Sequence, residues 1–315
     1  MQTMSRGSLE AAPHIRRRRS TRSIMLEVSG ALLPAGLAGV YRFGLRAALV
    51  ILISVFSAVA AEFCYARWTK RPQSVGDMSA VVTGLLLAYN LPVSVPLWMP
   101  AVGAVLAIVL VKMLFGGIGC NFVNPALTAR AILMTSWPDH MSAAAFGVPL
   151  RGVEAVTAAT PLTAAYSFGD LLLGRAPGCI GETARLLLLL GGIYLLIRRV
   201  ITWQIPVTML LGVFCMNLLF PAEQAAFSAA AREVLSGGLM LGAWFMATDY
   251  TTSPRTGPGK CLFGLGCGVM TFVLRRFAAM PGGVSYAILF MNLFTPMIDR
   301  FLRPGGRSGK PWRKK

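Results

Sequence analysis

The sequence predicts an all-α fold, a polytopic integral membrane bundle of about ten transmembrane helices. Composition is the first observation: 55% of the 315 residues are apolar and 13% are charged, whereas a soluble domain carries roughly 25% charged residues. The second is that 12 Asp and Glu residues serve the whole chain, too few to solvate a water-facing surface. The third is a series of long apolar blocks, such as Ala101–Val111 and Leu186–Ile197, which approach the roughly 20 residues that span a bilayer core.

Ten spans can be placed along the chain. Gly, Pro or single polar residues interrupt several of them, which is tolerated where neighbouring helices satisfy the freed backbone groups. The fifth, sixth and ninth spans are short for a full crossing, so they are either broken helices or longer than their pattern shows. The ten are residues 24–43, 45–66, 78–95, 97–115, 125–136, 184–197, 203–220, 234–250, 261–274 and 283–299.

The net charge of +18 has two interpretations. The basic runs Arg16–Arg19 and Lys310–Lys315 could be arms that bind nucleic-acid phosphates. However, no basic stripe with interleaved aromatic residues lies between them, so we expect no nucleic-acid partner. The alternative is that basic residues are topology signals, because cytoplasmic loops of membrane proteins are enriched in Lys and Arg.

Placing both termini in the cytoplasm puts most of the 30 Lys and Arg residues on the inner side. Lys112 and Arg130 are counted there, whereas the pair Arg275–Arg276 falls on the outer side against the trend. The prediction is a transmembrane domain over 24–303 between basic cytoplasmic tails at 1–23 and 304–315. A long connection over 137–183 then lies outside, and loops of this length are usually functional.

Hydrolytic, phosphoryl-transfer and metal chemistry find no support in the sequence. The six cysteines form no C-x-x-C pair, so we predict no metal site. The only histidines, His14 and His140, lie outside the spans, and neither G-x-x-x-x-G-K-[ST] nor G-x-S-x-G occurs. We therefore expect no catalytic side chains, and any chemistry would come from a bound cofactor.

Ionisable residues in or beside the spans are functional candidates, because burying a charge in a membrane is costly. Glu62, Asp77 and Asp249 are candidates for an ion path. Asp249 precedes Tyr250-Thr251-Thr252-Ser253-Pro254, and a carboxylate among hydroxyls could bind a cation or a polar ligand. The alternative is a helix-end carboxylate that is solvated or paired with Arg255.

A glycine-rich stretch, Gly116-Gly117-x-Gly119-x-Asn121-x-x-Asn124-Pro125, predicts a re-entrant turn. Glycine permits sharp backbone bends, and proline cannot continue a helix. Asn121 and Asn124 would satisfy freed backbone groups there or bind a ligand. Weak similarity between spans one to five and six to ten is equally compatible with chance and with an inverted 5+5 repeat, a design that places sites near mid-membrane.

Four segments give the sequence a resemblance to the NqrB/RnfD family of ion-translocating redox complexes, over roughly residues 13–303. In this family FMN is joined through a phosphoester to a threonine in an outer loop, within a motif like D-x-x-S-G-A-T. The matching residues are Glu154-Ala-Val-Thr157-Ala158-Ala159-Thr160, with Glu154 and Ala158 replacing Asp and Gly. The four segments are Lys112–Ala126, Ala176–Glu182, Gly237–Asp249 and Ala287–Asp299.

The resemblance implies covalent FMN on Thr160, with Thr157 and Ala159 in its motif and Asn121, Asn124 and Asp249 as further cofactor-binding candidates. It also implies a second, non-covalent flavin such as riboflavin, whose residues the sequence does not identify. The implied function is that of one component of a bacterial inner-membrane translocase that relays electrons between NADH and ferredoxin and moves Na⁺ or H⁺. Its partners would be Rnf-type subunits A, B, C, E and G and membrane lipid. A non-redox transporter or channel, or a structural scaffold, would lack the flavin.

Overall fold

The computed structural model describes residues 20–141, 167–174, 176, 178–221, 226–278 and 282–302. Within these residues every regular element is helical and no strand occurs, which confirms the predicted all-α class. The α-helices are α1 Thr21–Phe43, α2 Leu45–Trp68, α3 Ser79–Tyr89, α4 Trp98–Leu106, α5 Pro125–Ser136, α6 Pro138–Met141, α7 Phe168–Leu173, α8 Arg185–Ile197, α9 Gln204–Leu219, α10 Ala226–Leu235, α11 Leu239–Leu241, α12 Gly257–Phe277 and α13 Gly283–Phe301.

Among the described helices, α1, α2 and α12 are long and apolar enough to cross a membrane, with 23, 24 and 21 residues. Four shorter apolar segments accompany them, at Ser79–Tyr89, Trp98–Met113, Arg185–Ile197 and Gln204–Leu219. Large apolar side chains such as Phe56 on α2 point outward, as expected for contact with lipid. The chain is therefore a multi-pass membrane protein. The predicted ninth span, 261–274, is too short, because α12 (Gly257–Phe277) extends beyond it at both ends.

Two of the predicted spans break inside the bundle. Helix α3 ends at Tyr89, and the chain runs without regular helix over 90–97. Pro92 contributes to this break, because the residue before a proline is driven out of the α region. In the other half, α11 and the π-helical turn that continues it end at Met246. The side-chain nitrogen of Asn90 lies 3.3 Å from Met246 Sδ, so the two half-helices meet end to end.

The helices pack in a pattern that relates the two halves. In the first half α2 packs on α3 and α4, and in the second half α9 packs on α12. Helix α1, the first of its half, packs on α8, the first of the other half. The packing of α2 on α4 has a counterpart in that of α9 on α12, whereas the packing of α2 on α3 has no equally close counterpart, and the inverted repeat stays a prediction.

The segment 178–184, which precedes α8, is inserted into the bundle. Its Ile180 N–H donates to the carbonyl of Leu91 at 3.2 Å, and its Gly181 N–H donates to the carbonyl of Tyr89 at 3.0 Å. A Cβ on Gly181 would lie 2.3 Å from the Cβ of Tyr89, so only glycine allows this approach. The insertion fixes the carboxyl-terminal side of the predicted outer loop to the bundle interior.

Candidate functional site

A cavity of about 430 Å³ lies between the two halves. Its walls come from α1, α3, the glycine-rich turn and the chain that follows α11, and most of the lining is apolar. The loops 69–78, 114–124, 198–203 and 247–256 lie at this end of the bundle, which we call the cavity end. Aromatic and polar residues on the walls include Ser79, Lys112, Asn121, Asn124, Trp244, Phe245, Asp249 and Tyr250. A mostly apolar pocket with a few placed polar groups is the usual form of a small-molecule site.

The glycine-rich turn has the predicted sharp bends. Gly116, Gly117 and Gly119 adopt φ values of +117°, +95° and +90°, which residues with a side chain rarely adopt. The turn returns the chain into the bundle, where α5 begins at Pro125. The sharp glycine turn is thus confirmed as a structural feature of the cavity wall, and its re-entrant position in the membrane stays a prediction.

Asn121 and Asn124 are both buried and both line the cavity. The side-chain oxygen of Asn124 accepts hydrogen bonds from Ala126 N at 3.1 Å and Leu127 N at 3.2 Å, which caps the amino terminus of α5. Its side-chain nitrogen donates to the carbonyl of Met246 at 3.1 Å. Asn124 therefore joins the start of α5 to the broken helix that ends at Met246 and has a structural role, while its position also leaves it beside any cavity ligand.

Asp249 lies on the cavity wall among hydroxyl groups, as the sequence predicted. Its carboxylate accepts the hydroxyl of Thr251 at 2.8 Å and that of Thr252 at 3.4 Å. Arg255, the alternative partner, instead donates its backbone N–H to Asp299 at 3.0 Å. Asp249 is therefore held by neutral donors that a ligand or cation could replace.

A buried charged network connects the other two candidate acids. Glu62 on α2 is fully buried, and its Oε2 lies 2.7 Å from Lys112 Nζ, which is 3% exposed. Lys112 Nζ also donates to the Ser79 hydroxyl at 2.5 Å, and that hydroxyl donates to Asp77. The Ser74 hydroxyl donates to the other oxygen of Glu62. Glu62 and Asp77 are thus joined through one lysine that borders the cavity.

Lys112 and Arg130 were counted among the inner-side topology charges, but both side chains are buried in the bundle rather than exposed in loops, and the side of the membrane on which they lie stays a prediction. A lysine that is 50 positions from its carboxylate gives no local signal of the pair. The one hint was its place within the first of the four family segments.

A second polar centre, which the sequence did not reveal, surrounds Arg130 on α5. One guanidinium nitrogen of Arg130 donates to the Asn90 side chain at 2.9 Å and to the Ser285 hydroxyl at 2.8 Å. Its other terminal nitrogen lies 3.8 Å from Glu182 Oε1, and Glu182 Oε2 accepts the backbone N–H of Cys179 at 3.4 Å. The Arg130 centre thereby gathers four separate stretches of chain where the half-helices meet.

Arginines also hold α7, the short helix in the carboxyl-terminal part of the predicted flavin-bearing loop. Arg42 donates to the carbonyls of Leu173 and Gly174, and Arg185 donates to the carbonyl of Leu171 at 2.6 Å. Cations at the carboxyl terminus of a helix satisfy its free carbonyls and its dipole. We call this end of the bundle the α7 end. The predicted flavin-motif residues Thr157, Ala159 and Thr160 lie outside the described residues.

The four segments that carry the family resemblance converge in space. The first provides Lys112, the glycine turn and Asn124, and the second provides Glu182 of the inserted segment. The third provides Met246 and Asp249, and in the fourth the side-chain oxygen of Asn292 accepts the backbone N–H of Asn124 at 3.2 Å. Within the described residues, no group of three or more His, Cys, Asp and Glu could hold a metal ion.

Comparison with known proteins agrees with the family resemblance that the four segments carry. The model of the "NQR2, RnfD, RnfE family" matches residues 8–306. The chain is 45% identical to the D component of the Na(+)-translocating ferredoxin:NAD(+) oxidoreductase complex of Acetobacterium woodii, over 94% of this chain and 93% of that protein. It is 40% identical to the D component of the proton-translocating ferredoxin:NAD(+) oxidoreductase complex of Clostridium ljungdahlii, over 94% and 95% of the two chains. With near-complete coverage on both sides, the chain belongs to the NQR2, RnfD, RnfE family.

Proposed function

We propose that this chain is the RnfD-type component of an ion-translocating ferredoxin:NAD⁺ oxidoreductase and relays electrons through FMN bound covalently to Thr160. The observation that carries the proposal is the end-to-end match to the D components of such complexes. The threonine motif supports the flavin, because Thr160 and the following Pro161-Leu162 are retained and Thr157 keeps a hydroxyl at the motif serine. The protein has no expected activity alone and works with Rnf-type subunits A, B, C, E and G in the bacterial inner membrane, with both termini cytoplasmic.

The attachment of the carboxyl-terminal end of the predicted flavin-bearing loop to the bundle supports the proposed electron-carrier role. Helix α7 begins at Phe168, eight positions after Thr160, and Arg42 and Arg185 hold its carboxyl terminus. The inserted segment 178–184 then fixes the chain to the bundle. A redox group on this loop would be tethered from its carboxyl-terminal side to the interior. A flavin supplies one-electron uptake and release, while the covalent bond prevents its loss.

The cavity fits the second, non-covalent flavin. Its volume of about 430 Å³ lies within the range of roughly 300–1,000 Å³ that is usual for small-molecule sites. Trp244, Phe245 and Tyr250 offer aromatic surface for a planar ring system, and polar contacts to ring edges or hydroxyl groups are available from Lys112, Asn121 and Asp249. These side chains would hold a riboflavin-sized ligand and exclude bulk water from it.

The ion path is proposed to use Glu62, Asp77 and Asp249. Glu62 and Asp77 belong to one network at the cavity end, and Asp249 lies on the wall of the same cavity. Buried carboxylates held by hydroxyls and a lysine are typical of ion routes through membranes. Neutralising Glu62 or Asp249 should lower ion-coupled electron transfer while the covalently bound flavin is retained.

The covalent attachment of FMN to Thr160 is tested on denatured protein. The complex is expressed in a host that attaches flavins, and this chain is separated from its partners on a denaturing gel. We expect yellow-green fluorescence from the wild type, none from Thr160→Ala, and an unchanged signal from the matched control Thr163→Ala. Mass spectrometry should find the mass of FMN on the peptide that contains Thr160. An unmodified peptide in every copy would leave the non-redox transporter or scaffold as the function.

A further inference from the structure

Lys112 uses two of the three hydrogen-bond donors of its ammonium group in the described contacts. One N–H donates to Glu62 Oε2 at 2.7 Å and a second donates to Ser79 Oγ at 2.5 Å. A lysine ammonium carries three donors and no acceptor. Lys112 and Ser79 both border the cavity, and the third donor is therefore available to a group inside it.

Electrostatics makes this position sensitive to charge. Inside a protein of low effective dielectric constant, an added charge acts on a neighbouring ion several times more strongly than in water. Glu62 and Lys112 are 0% and 3% exposed, so little solvent screens them. A negative charge that enters the cavity competes directly with Glu62 for the same ammonium.

Glu62 has a short route to water at the cavity end. Its Oε1 accepts the hydroxyl of Ser74, which is half-buried and lies beside the exposed Gln73. On the other branch the carboxylate of Asp77 accepts both the backbone N–H and the hydroxyl of Ser79. Glu62 is therefore linked through Ser74 to residues at the surface, and Asp77 is itself only half-buried.

We infer that Lys112 is a charge relay between the cavity and the Glu62–Asp77 carboxylates. A reduced flavin or iron–sulfur centre of the complex, itself oxidised in the step, delivers one electron to the flavin proposed to occupy the cavity, and this reduced flavin carries one added negative charge. The Lys112 ammonium shifts from Glu62 towards that charge, no covalent bond forms or breaks, and one Na⁺ or H⁺ binds the released carboxylate. Reoxidation returns Lys112 to Glu62 and releases the cation. The inference rests on the proposed redox function and assigns Lys112 a positioning role within it.

Reduced-minus-oxidised infrared difference spectroscopy of the whole purified complex tests the relay. The wild type should show a carboxylate signal on reduction that Glu62→Gln removes. Lys112→Met should lose this signal, whereas Lys112→Arg, which keeps the charge, should retain part of it. Lys260→Met is the matched control, because Lys260 donates to Thr202 away from the network, and its signal should equal that of the wild type.

A milder variant keeps the relay testable if the Lys112→Met protein does not assemble into the complex. Ser79→Ala removes the hydroxyl between Lys112 and Asp77, so the signal that Asp77→Asn identifies should disappear while that of Glu62 remains. A full Glu62 signal in Lys112→Met, no effect of Glu62→Gln, or an unchanged Asp77 signal in Ser79→Ala would each overturn the relay.

Flavin content separates failure of the relay from failure of the proposed function. Gel fluorescence and extracted non-covalent flavin are measured on every preparation. Flavin present with an unresponsive Glu62 defeats the relay alone. A wild-type complex without any flavin defeats the redox function on which the relay rests, and with it the relay.

Discussion

The cavity end and the Arg130 centre each contain a buried ion pair, but the two pairs are built differently. Lys112 and Glu62 approach to 2.7 Å, and hydroxyls hold the second carboxylate oxygen and the lysine. Arg130 and Glu182 are separated by 3.8 Å, and Arg130 is held chiefly by the neutral side chains of Asn90 and Ser285. Among the described contacts, the buried Nε atom of Arg130 has no hydrogen-bond partner.

The difference indicates two roles for buried charge. In the proposed relay the tight pair beside the cavity is the movable element, because a ligand or a cation would replace either partner. A looser pair surrounded by neutral hydrogen bonds acts as a joint that holds broken helices together. The following variants test this distinction, from the largest expected effect to the smallest.

Lys112→Met should have the largest effect on stability. It leaves Glu62 as an uncompensated buried charge, and removing one partner of a buried pair costs roughly 3–5 kcal/mol. Urea unfolding of the detergent-solubilised protein would measure the loss. The double variant Glu62→Gln/Lys112→Met, which removes both charges, should regain most of it. A single variant as stable as the wild type would show that the pair is not closed in solution.

Arg130→Met should cost about 2–3 kcal/mol of the free energy of unfolding, because Asn90 and Ser285 lose their charged donor. The loss should be smaller than for Lys112→Met, since Glu182 keeps the backbone N–H of Cys179. The same urea titration decides the order of the two variants. The reverse order would contradict the proposed distinction between the pairs.

Two glycines allow a matched comparison of the two ends. Gly174 at the α7 end and Gly117 at the cavity end both have positive φ, +71° and +95°. A Cβ on Gly174 would lie 1.6 Å from the carbonyl oxygen of Thr183, whereas one on Gly117 meets nothing within 4 Å. Gly174→Ala should therefore destabilise by about 1–3 kcal/mol more than Gly117→Ala, since overpacking adds to backbone strain. Equal losses of the free energy of unfolding for the two variants would show that α7 moves aside for the added methyl group without a loss of stability.

Asn124→Ala should have the smallest effect on stability. It removes the cap of α5, which costs about 1 kcal/mol, and cuts the link to Met246. Because Asn124 lines the cavity, extraction of non-covalent flavin should also show a lower content than in the wild type. Unchanged content with lower stability would leave Asn124 with the structural role alone.

The sequence alone was sufficient to predict the features that depend on a local pattern of residues. Apolar blocks predicted the helical membrane class, Gly116 to Gly119 predicted the turn, and the threonines after Asp249 predicted its hydroxyl environment. Each of these is encoded within a few adjacent residues, where period, backbone freedom or side-chain type is directly visible.

Features that depend on distant partners were missed. Composition cannot distinguish a lysine in an inner loop from one that pairs with Glu62 inside the bundle, so Lys112 and Arg130 were placed with the topology charges. The breaks after Tyr89 and Met246 were also absent from the predicted spans, since the apolar pattern continues through them. The contact that joins these broken ends links residues 156 positions apart.

The π-helical stretch Ala107–Met113 has one more consequence. Its wider turn is recorded in the hydrogen bond from Leu114 N to Val109 O, five residues apart. Such a bulge corresponds to one extra residue in an α-helix, and each residue turns the helix by about 100°. Deleting a single alanine or valine there would rewind the stretch and turn the ammonium group away from Glu62. The orientation of the Lys112 side chain thus depends on the one extra residue that the π-helical stretch accommodates.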